Sequence, residues 1–225
     1  MRTPGLALLL AAGLAGPVAA APAPVLVELF TSQGCNSCPP ADAVLAGLAG
    51  RPDVLALAFH VTYWDRLGWP DSFGDERYTD RQRAYAGRLG SSRIYTPQAV
   101  VGGRLDVVGS AGGRLEVAIG LVRDDSPAAA AAIDAAGRVT LPPGTGDAEV
   151  WAVAYDDAAS VAIGGGENAG RTIAYHNIVR WLERLDRQAP VIPLAGLRAA
   201  GRSAVAVIAQ DPADGHVLAL GSRRL

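Results

Sequence analysis

Apolar runs alternate with amphipathic stretches through the first half of the chain. Residues 25–30 are apolar apart from Glu28, the pattern of a strand buried on both faces. Residues 39–48 open on Pro39-Pro40 and continue with helix formers; proline is tolerated in a helix only in its first turn, so a helix is predicted to start there. Residues 54–61 predict a second apolar strand and 75–89 a helix stopped by Gly90; 98–101 and 105–108 predict two short strands, and 113–123 a closing helix. Beyond this point strand patterns dominate, at 149–155, 160–163, 203–210 and 216–221, with Asp211-Pro212-Ala213-Asp214-Gly215 as a hairpin turn between the last two. Residues 171–185 fit both periods: Ile173, Tyr175, Val179 and Trp181 suit a strand, whereas Ile178, Leu182 and Leu185 suit a helix, and the strand is preferred. The change of regime coincides with Asp124-Asp125-Ser126-Pro127 and an alanine-rich stretch to Ala136. The expected organisation is an α/β domain at 24–124, a linker at 125–136 and a smaller β-rich, sandwich-like domain at 137–225.

The chain has two cysteines, Cys35 and Cys38, at the junction between the first strand and the first helix. Unpaired N–H groups and the dipole at a helix start favour negative charge, so a thiolate on Cys35 forms more easily there than in open solvent. The intervening Asn36-Ser37 is uncharged, and a moderate thiol pKa is expected.

The N-terminus suggests the compartment. Arg2, an apolar run over 6–14 and the small residues Val18-Ala19-Ala20 have the make-up of a secretory signal cut after Ala20, which places the protein in the periplasm or outside the cell. The apolar run is shorter than the roughly 20 residues that span a bilayer, so no membrane anchor is expected after cleavage. Loss of Arg2 with the first 20 of 225 residues would move the formal net charge from −2 to −3. None of the 20 basic residues is lysine and they form no basic block, which argues against a nucleic-acid partner. The glycine strings at 112–113 and 164–166 lack the spacing of a phosphate loop, and no serine sits in a hydrolase elbow.

The succession of strand, CxxC, helix, strand, helix, Thr96-Pro97, two strands and helix resembles the thioredoxin superfamily over residues 25–123. More narrowly, the strings 30–42 around Cys35, His60-Val61-Thr62-Tyr63-Trp64-Asp65, Tyr95-Thr96-Pro97-Gln98 and Gly166-Glu167-Asn168-Ala169-Gly170-Arg171 resemble a secreted bacterial thioredoxin-like family of unknown function. The resemblance implies a central mixed sheet flanked by helices and a cis-proline loop at Thr96-Pro97 facing the cysteines. It also implies an exposed attacking Cys35, a shielded resolving Cys38, and Glu28 buried beneath them to take the proton of Cys38. Leu26 and Phe30 share the face of Glu28 and argue for its burial. The function so implied is an exported thiol–disulfide oxidoreductase, without cofactor or resident metal, acting on a protein or small-molecule thiol partner in the cell envelope.

Thr96, Pro97 and Trp64 are the expected substrate-binding residues, with the proline loop pairing to an extended partner segment, and His60 and Asp65 are candidate supports. His60 and the tryptophans also fit plain packing. Arg77, Arg81 and Arg88, interleaved with acids, read as a solvated helix face. Glu167, Asn168, Arg171, His176 and Asn177 form a polar cluster that suits either a turn network or a site. Two other classes stay open. One is a copper or zinc chaperone using Cys35, Cys38 and His60. The other is a binding or scaffold module in which the cysteines form an inert clamp.

Overall fold

The computed structural model describes residues 23–125 and 128–225. The export signal expected at 1–20 lies outside the described residues, as do Ser126 and Pro127 of the expected linker. The first half runs β1 (Val25–Thr31), α1 (Pro39–Leu48), β2 (Val54–His60), α2 (Glu76–Arg88), β3 (Gln98–Val101), β4 (Leu105–Val108) and α3 (Gly112–Asp125), each within two residues of its predicted bounds. Local signals account for this. Asp75 caps α2 by accepting from the N–H of Arg77, and α2 ends just before Gly90, whose φ of 69° suits a residue without a Cβ.

The second half departs further from its pattern. The stretch read as a linker carries two edge strands, β5 (Ala129–Ala130) and β6 (Ala132–Ile133), and β7 (Val139–Thr140) pairs with β6. The strands expected at 149–155 and 160–163 are one long strand, β8 (Glu149–Ala162), and residues 172–184 form β9 (Thr172–Arg184) as preferred. A short helix, α4 (Leu194–Ala199), lies in a stretch with no predicted element, and β10 (Ala204–Gln210) and β11 (Val217–Arg224) close the chain.

Among the described residues nine strands make one mixed sheet in the order β4-β3-β1-β2-β9-β8-β10-β11-β5. The β-rich half therefore prolongs the sheet of the first half edge to edge, and the expected sandwich-like stacking is not what forms. The joint is the parallel contact of β2 with β9 at Ala58 and Ile178. Beside it Asn177, at φ 45°, donates from its side-chain amide to the carbonyl of Ala56 at 2.8 Å. Asparagine is among the few residues that tolerate that conformation, and its amide replaces a ladder bond where the strands diverge.

Helices cover both faces. On one, Tyr78 and Tyr85 of α2 pack on Leu26, Phe30, Leu57 and Phe59 and reach Val153, Val179 and Ile208 across the joint, so one apolar core crosses both halves. On the other, α1 and α3 cover Val27, Leu29, Ala56 and Ala58, while α4 covers Ala152, Val205 and Val207. Strand alternation then assigns every side chain of β1: Val25, Val27, Leu29 and Thr31 point toward α1, and Leu26, Glu28 and Phe30 toward α2.

Candidate functional site

The chain leaves β1 at its carboxyl end, turns, and enters α1 through Cys38, with Cys35 and Cys38 joined by a disulfide. The amides of Ala41 and Asp42 both donate to the carbonyl of Cys38, which fixes the second cysteine to the first turn of the helix. Thr96 and Pro97, joined by a cis peptide bond, come up from the far side. The Thr96 hydroxyl donates to Cys35 Sγ at 3.3 Å and itself accepts from the Trp64 indole N–H at 2.7 Å. Pro97 is buried beside Gly109, where a Cβ would meet the side chains of Leu29, Ala41 and Pro97. The structure thus brings Cys35, Cys38, Thr96, Pro97 and Trp64 together.

Three expectations need correction. The first concerns access: Cys35, expected to be the exposed member of the pair, is buried, as is Cys38, and both are 0% exposed. The cover comes from the second half of the chain. The one-turn helix Gly166–Asn168 lies over the CxxC loop, where the Asn168 amide donates to the carbonyls of Gln33 (2.9 Å) and Cys35 (2.8 Å) and the Glu167 carboxylate accepts from the N–H of Asn36 at 3.1 Å. The glycines leading into this turn are there because they touch. A Cβ on Gly164 would come within 2.7 Å of the Trp69 ring, and Gly166 turns at φ 69° against Gly34. Arg171 holds the turn from behind by donating to the Asn168 side-chain oxygen.

The second correction is Glu28. It is fully buried, but on the α2 face, with the sheet between it and α1. There its carboxylate accepts from Arg81 at 2.6 and 3.2 Å and from the Tyr85 hydroxyl, and Arg81 also donates to Gln210 of β10 at 2.8 Å. Glu28 is therefore a structural acid tying β1, α2 and β10 together, and it is not beneath the disulfide. Arg81 is the third correction: it is 6% exposed, with its guanidinium between the rings of Tyr85 and Trp151, so the arginine stripe is not uniformly solvated.

A second buried acid, Asp42, stands one helical turn past Cys38. It is the one charged residue of α1, four positions after Cys38, and 4% exposed. Its Oδ1 accepts from the Thr31 hydroxyl at 2.8 Å, and Oδ2 has no hydrogen-bond partner among the described residues. Burial pushes the Asp42 carboxyl up to about 7, against smaller opposing effects of His60 and the Thr31 hydrogen bond. His60 is fully buried below it, with Nδ1 2.8 Å from Asp71 Oδ2 and its ring edge-on to Phe73 and Tyr175. Asp71 also accepts from the backbone N–H of Gln33 at 2.7 Å and of Phe73 at 2.9 Å. These hydrogen bonds and the neighbouring imidazole hold its carboxyl below the usual range despite burial. Asp65 accepts from the backbone N–H of Asp71 and so shapes the turn rather than facing the sulfurs.

The sequence marked Asn168 only within a polar cluster that suited a turn or a site, and offered neither Asp42 nor Asp71 as a site member. Asp42 did leave a signal, an isolated acid one helical turn past the CxxC in an apolar helix. Among the described residues no three His, Cys, Asp or Glu side chains are arranged to hold a metal ion, and His60 engages Asp71 instead of the cysteines. No helix of the described residues is long and apolar enough to cross a membrane. Two sizeable concavities lie elsewhere. One of about 380 Å³ opens where β1 and β2 begin, lined by Ala23, Val25, Asp53 and Val122, and one of about 500 Å³ lies between α2 and the β8–β9 ribbon.

With this architecture in view, comparison with known proteins gives a family. Residues 26–210 match the family described as "protein of unknown function (DUF1223)", and the chain belongs to it. The chain is similar to an Agrobacterium tumefaciens protein known from an X-ray crystal structure, with 29% identity and a TM-score of 0.74 over 89% of this chain and 93% of that one. It is also similar in fold to HBP35 of Porphyromonas gingivalis, at 12% identity and a TM-score of 0.54 over 91% of this chain and 76% of that one. No curated protein matches.

Proposed function

We propose that this chain is an exported thiol–disulfide oxidoreductase of thioredoxin-like build, working through Cys35 and Cys38 on a protein thiol or disulfide in the cell envelope. The observation that carries the reading is the hydrogen bond from Thr96, the residue before cis Pro97, to Cys35 Sγ at 3.3 Å. A hydroxyl aimed at that sulfur stabilises the charge it bears when it leaves as a thiolate, in addition to the helix start. The order β4-β3-β1-β2, with α1 and α3 on one face and α2 on the other, supports the thioredoxin-like reading of the first half. The second half is then a β-rich extension whose Gly166–Asn168 turn covers the site.

In the reducing direction, a partner thiolate attacks Cys35 Sγ, forming a partner–Cys35 disulfide and releasing Cys38 as a thiolate that takes up a proton. A second partner thiolate attacks the partner sulfur of that mixed disulfide and frees Cys35. Two partner thiols are oxidised to one disulfide, and the Cys35–Cys38 bond is reduced by the same two electrons.

Single-cysteine variants test this. The Cys38→Ser protein is expected to accumulate a mixed disulfide with a thionitrobenzoate-activated peptide through Cys35. The Cys35→Ser protein should form at least tenfold less, because Cys38 lacks the Thr96 hydrogen bond. Equal trapping by the two variants would sink the assignment. Burial of both sulfurs favours a second reading, a scaffold module with an inert clamp; a Cys35–Cys38 bond that stays intact in reduced-glutathione buffer when the protein is folded would establish it.

If the cover gates exchange, loosening it speeds reduction. Asn168→Ala removes two hydrogen bonds to the CxxC loop, worth together about 2 kcal/mol. Reduction by dithiothreitol, followed by quenched alkylation and mass analysis, should accelerate roughly thirtyfold. An unchanged rate would show that this turn does not control access.

A further inference from the structure

We propose that Asp42 is the group that holds and returns the proton of Cys38 during disulfide exchange. The inference rests on the oxidoreductase reading above and deepens it.

Placement comes first. The Asp42 amide donates to the Cys38 carbonyl at 3.1 Å, one turn of α1, and side chains four apart on a helix lie on the same face. That face is the one turned to the sheet, since both residues are buried. Glu28 is on the far side of the sheet in a hydrogen-bonded pair with Arg81, and the Asp71 carboxylate is engaged by His60 and the Gln33 and Phe73 amides.

The surroundings then decide which form Asp42 takes. A buried carboxylate needs several donors, yet Asp42 has one, the Thr31 hydroxyl, and its Oδ2 has none among the described residues. Every other polar group facing it is accounted for. From β2 comes His60, whose Nδ1 is held by Asp71 and whose Nε2 has no hydrogen-bond partner among the described residues. From β9 comes the Tyr175 hydroxyl, likewise without one, with Arg171 at the start of that strand acting on Tyr175 from further out. Burial favours the neutral form of Asp42, with a smaller push the same way from Asp71, and the imidazole and the Thr31 hydroxyl pull it toward the charged one, which leaves the carboxyl near neutrality. A group so balanced transfers a proton at neutral pH in either direction.

The step balances. When a partner thiolate displaces Cys38 from the disulfide, the Asp42 carboxyl proton goes to the Cys38 thiolate, leaving Asp42 as a carboxylate and Cys38 as a thiol. In the oxidising direction the Asp42 carboxylate takes that proton, and the Cys38 thiolate attacks the mixed disulfide on Cys35.

The test is the pH profile of disulfide reduction by dithiothreitol on the mature protein, with each rate divided by the dithiothreitol thiolate concentration. In the wild type this normalised rate should fall as pH rises through about 7, where Asp42 loses its proton. In Asp42→Asn the fall should disappear, and the rate at pH 6 should drop about tenfold or more. Thr31→Val, which removes the one donor to the carboxylate, should move the fall to higher pH, and it decides the question should Asp42→Asn fold poorly. A fall that persists unchanged in Asp42→Asn, or that Thr31→Val does not move, would overturn the role of Asp42 and leave the oxidoreductase reading standing. A folded wild type whose disulfide dithiothreitol never reduces would overturn both.

Discussion

Replacing Arg81 by methionine is expected to destabilise the protein by about 3–5 kcal/mol, because it strands the Glu28 carboxylate in the core. Both partners are buried, with side chains 4% and 0% exposed, and the guanidinium is also the link from Glu28 to Gln210 of β10. Loss of that link touches the seam between the halves as well as the charge balance. The companion experiment is the double variant Glu28→Leu with Arg81→Met. A buried ion pair is costly to desolvate, and its replacement by packed apolar groups is often neutral, so the double variant should recover most of the loss. Urea unfolding curves measure both. A single variant within about 1 kcal/mol of wild type, or a double variant no better than the single, would show that Glu28 is less dependent on Arg81 than its hydrogen bonds indicate.

Asp42 produces the second large effect, visible as a pH dependence of stability. Its carboxyl is held at about 7 in the folded protein, against 3.8 for an unperturbed aspartate. Between those values the folded state binds the proton and the unfolded state has released it, so stability falls as pH rises. The contribution is complete below about pH 4, is progressively lost toward pH 7 and is absent above it, a swing of about 4 kcal/mol over some three pH units. Asp42→Asn carries no titrating carboxyl there and should lack this slope, so its advantage over wild type grows from pH 4 to pH 8. Urea midpoints for both proteins across that range are the measurement, and parallel curves would refute the burial argument. The same substitution that should remove the pH step in exchange should therefore stabilise the folded protein at pH 8. A variant that is more stable yet slower in exchange fits a group retained for chemistry at a cost in stability, a common feature of functional sites.

Much of the first half was legible in the chain because its signals are local. An apolar run, Pro39-Pro40 at a helix start, a capping Asp75 and a stop at Gly90 each act within a few residues, and the elements they predict form at nearly those bounds. Placing Thr96-Pro97 against Cys35 needed the family resemblance as well, since nothing local joins residues 61 positions apart. The site's acid was misassigned for a related reason. Glu28 and Asp42 are both lone acids in apolar elements, and burial was expected for Glu28 without any sign of which side of the sheet it faces. The alternation of β1 places Glu28 with α2, whereas the helical turn from Cys38 puts Asp42 on the buried face of α1.

What the sequence determined by itself was therefore the set of elements in the first half, the cysteine pair at a strand-to-helix junction and a low net charge. Tertiary structure alone decided that the β-rich half extends the same sheet, that its Gly166–Asn168 turn binds the CxxC loop, and that Asp42 is buried on the α1 face of the sheet while Glu28 is buried on the other. The physical reason is range. Caps, turns and hydrophobic periods are set by neighbours along the chain, whereas strand order, the face on which a helix lands and the burial of a charge depend on contacts between residues as far apart as Cys35 and Asn168.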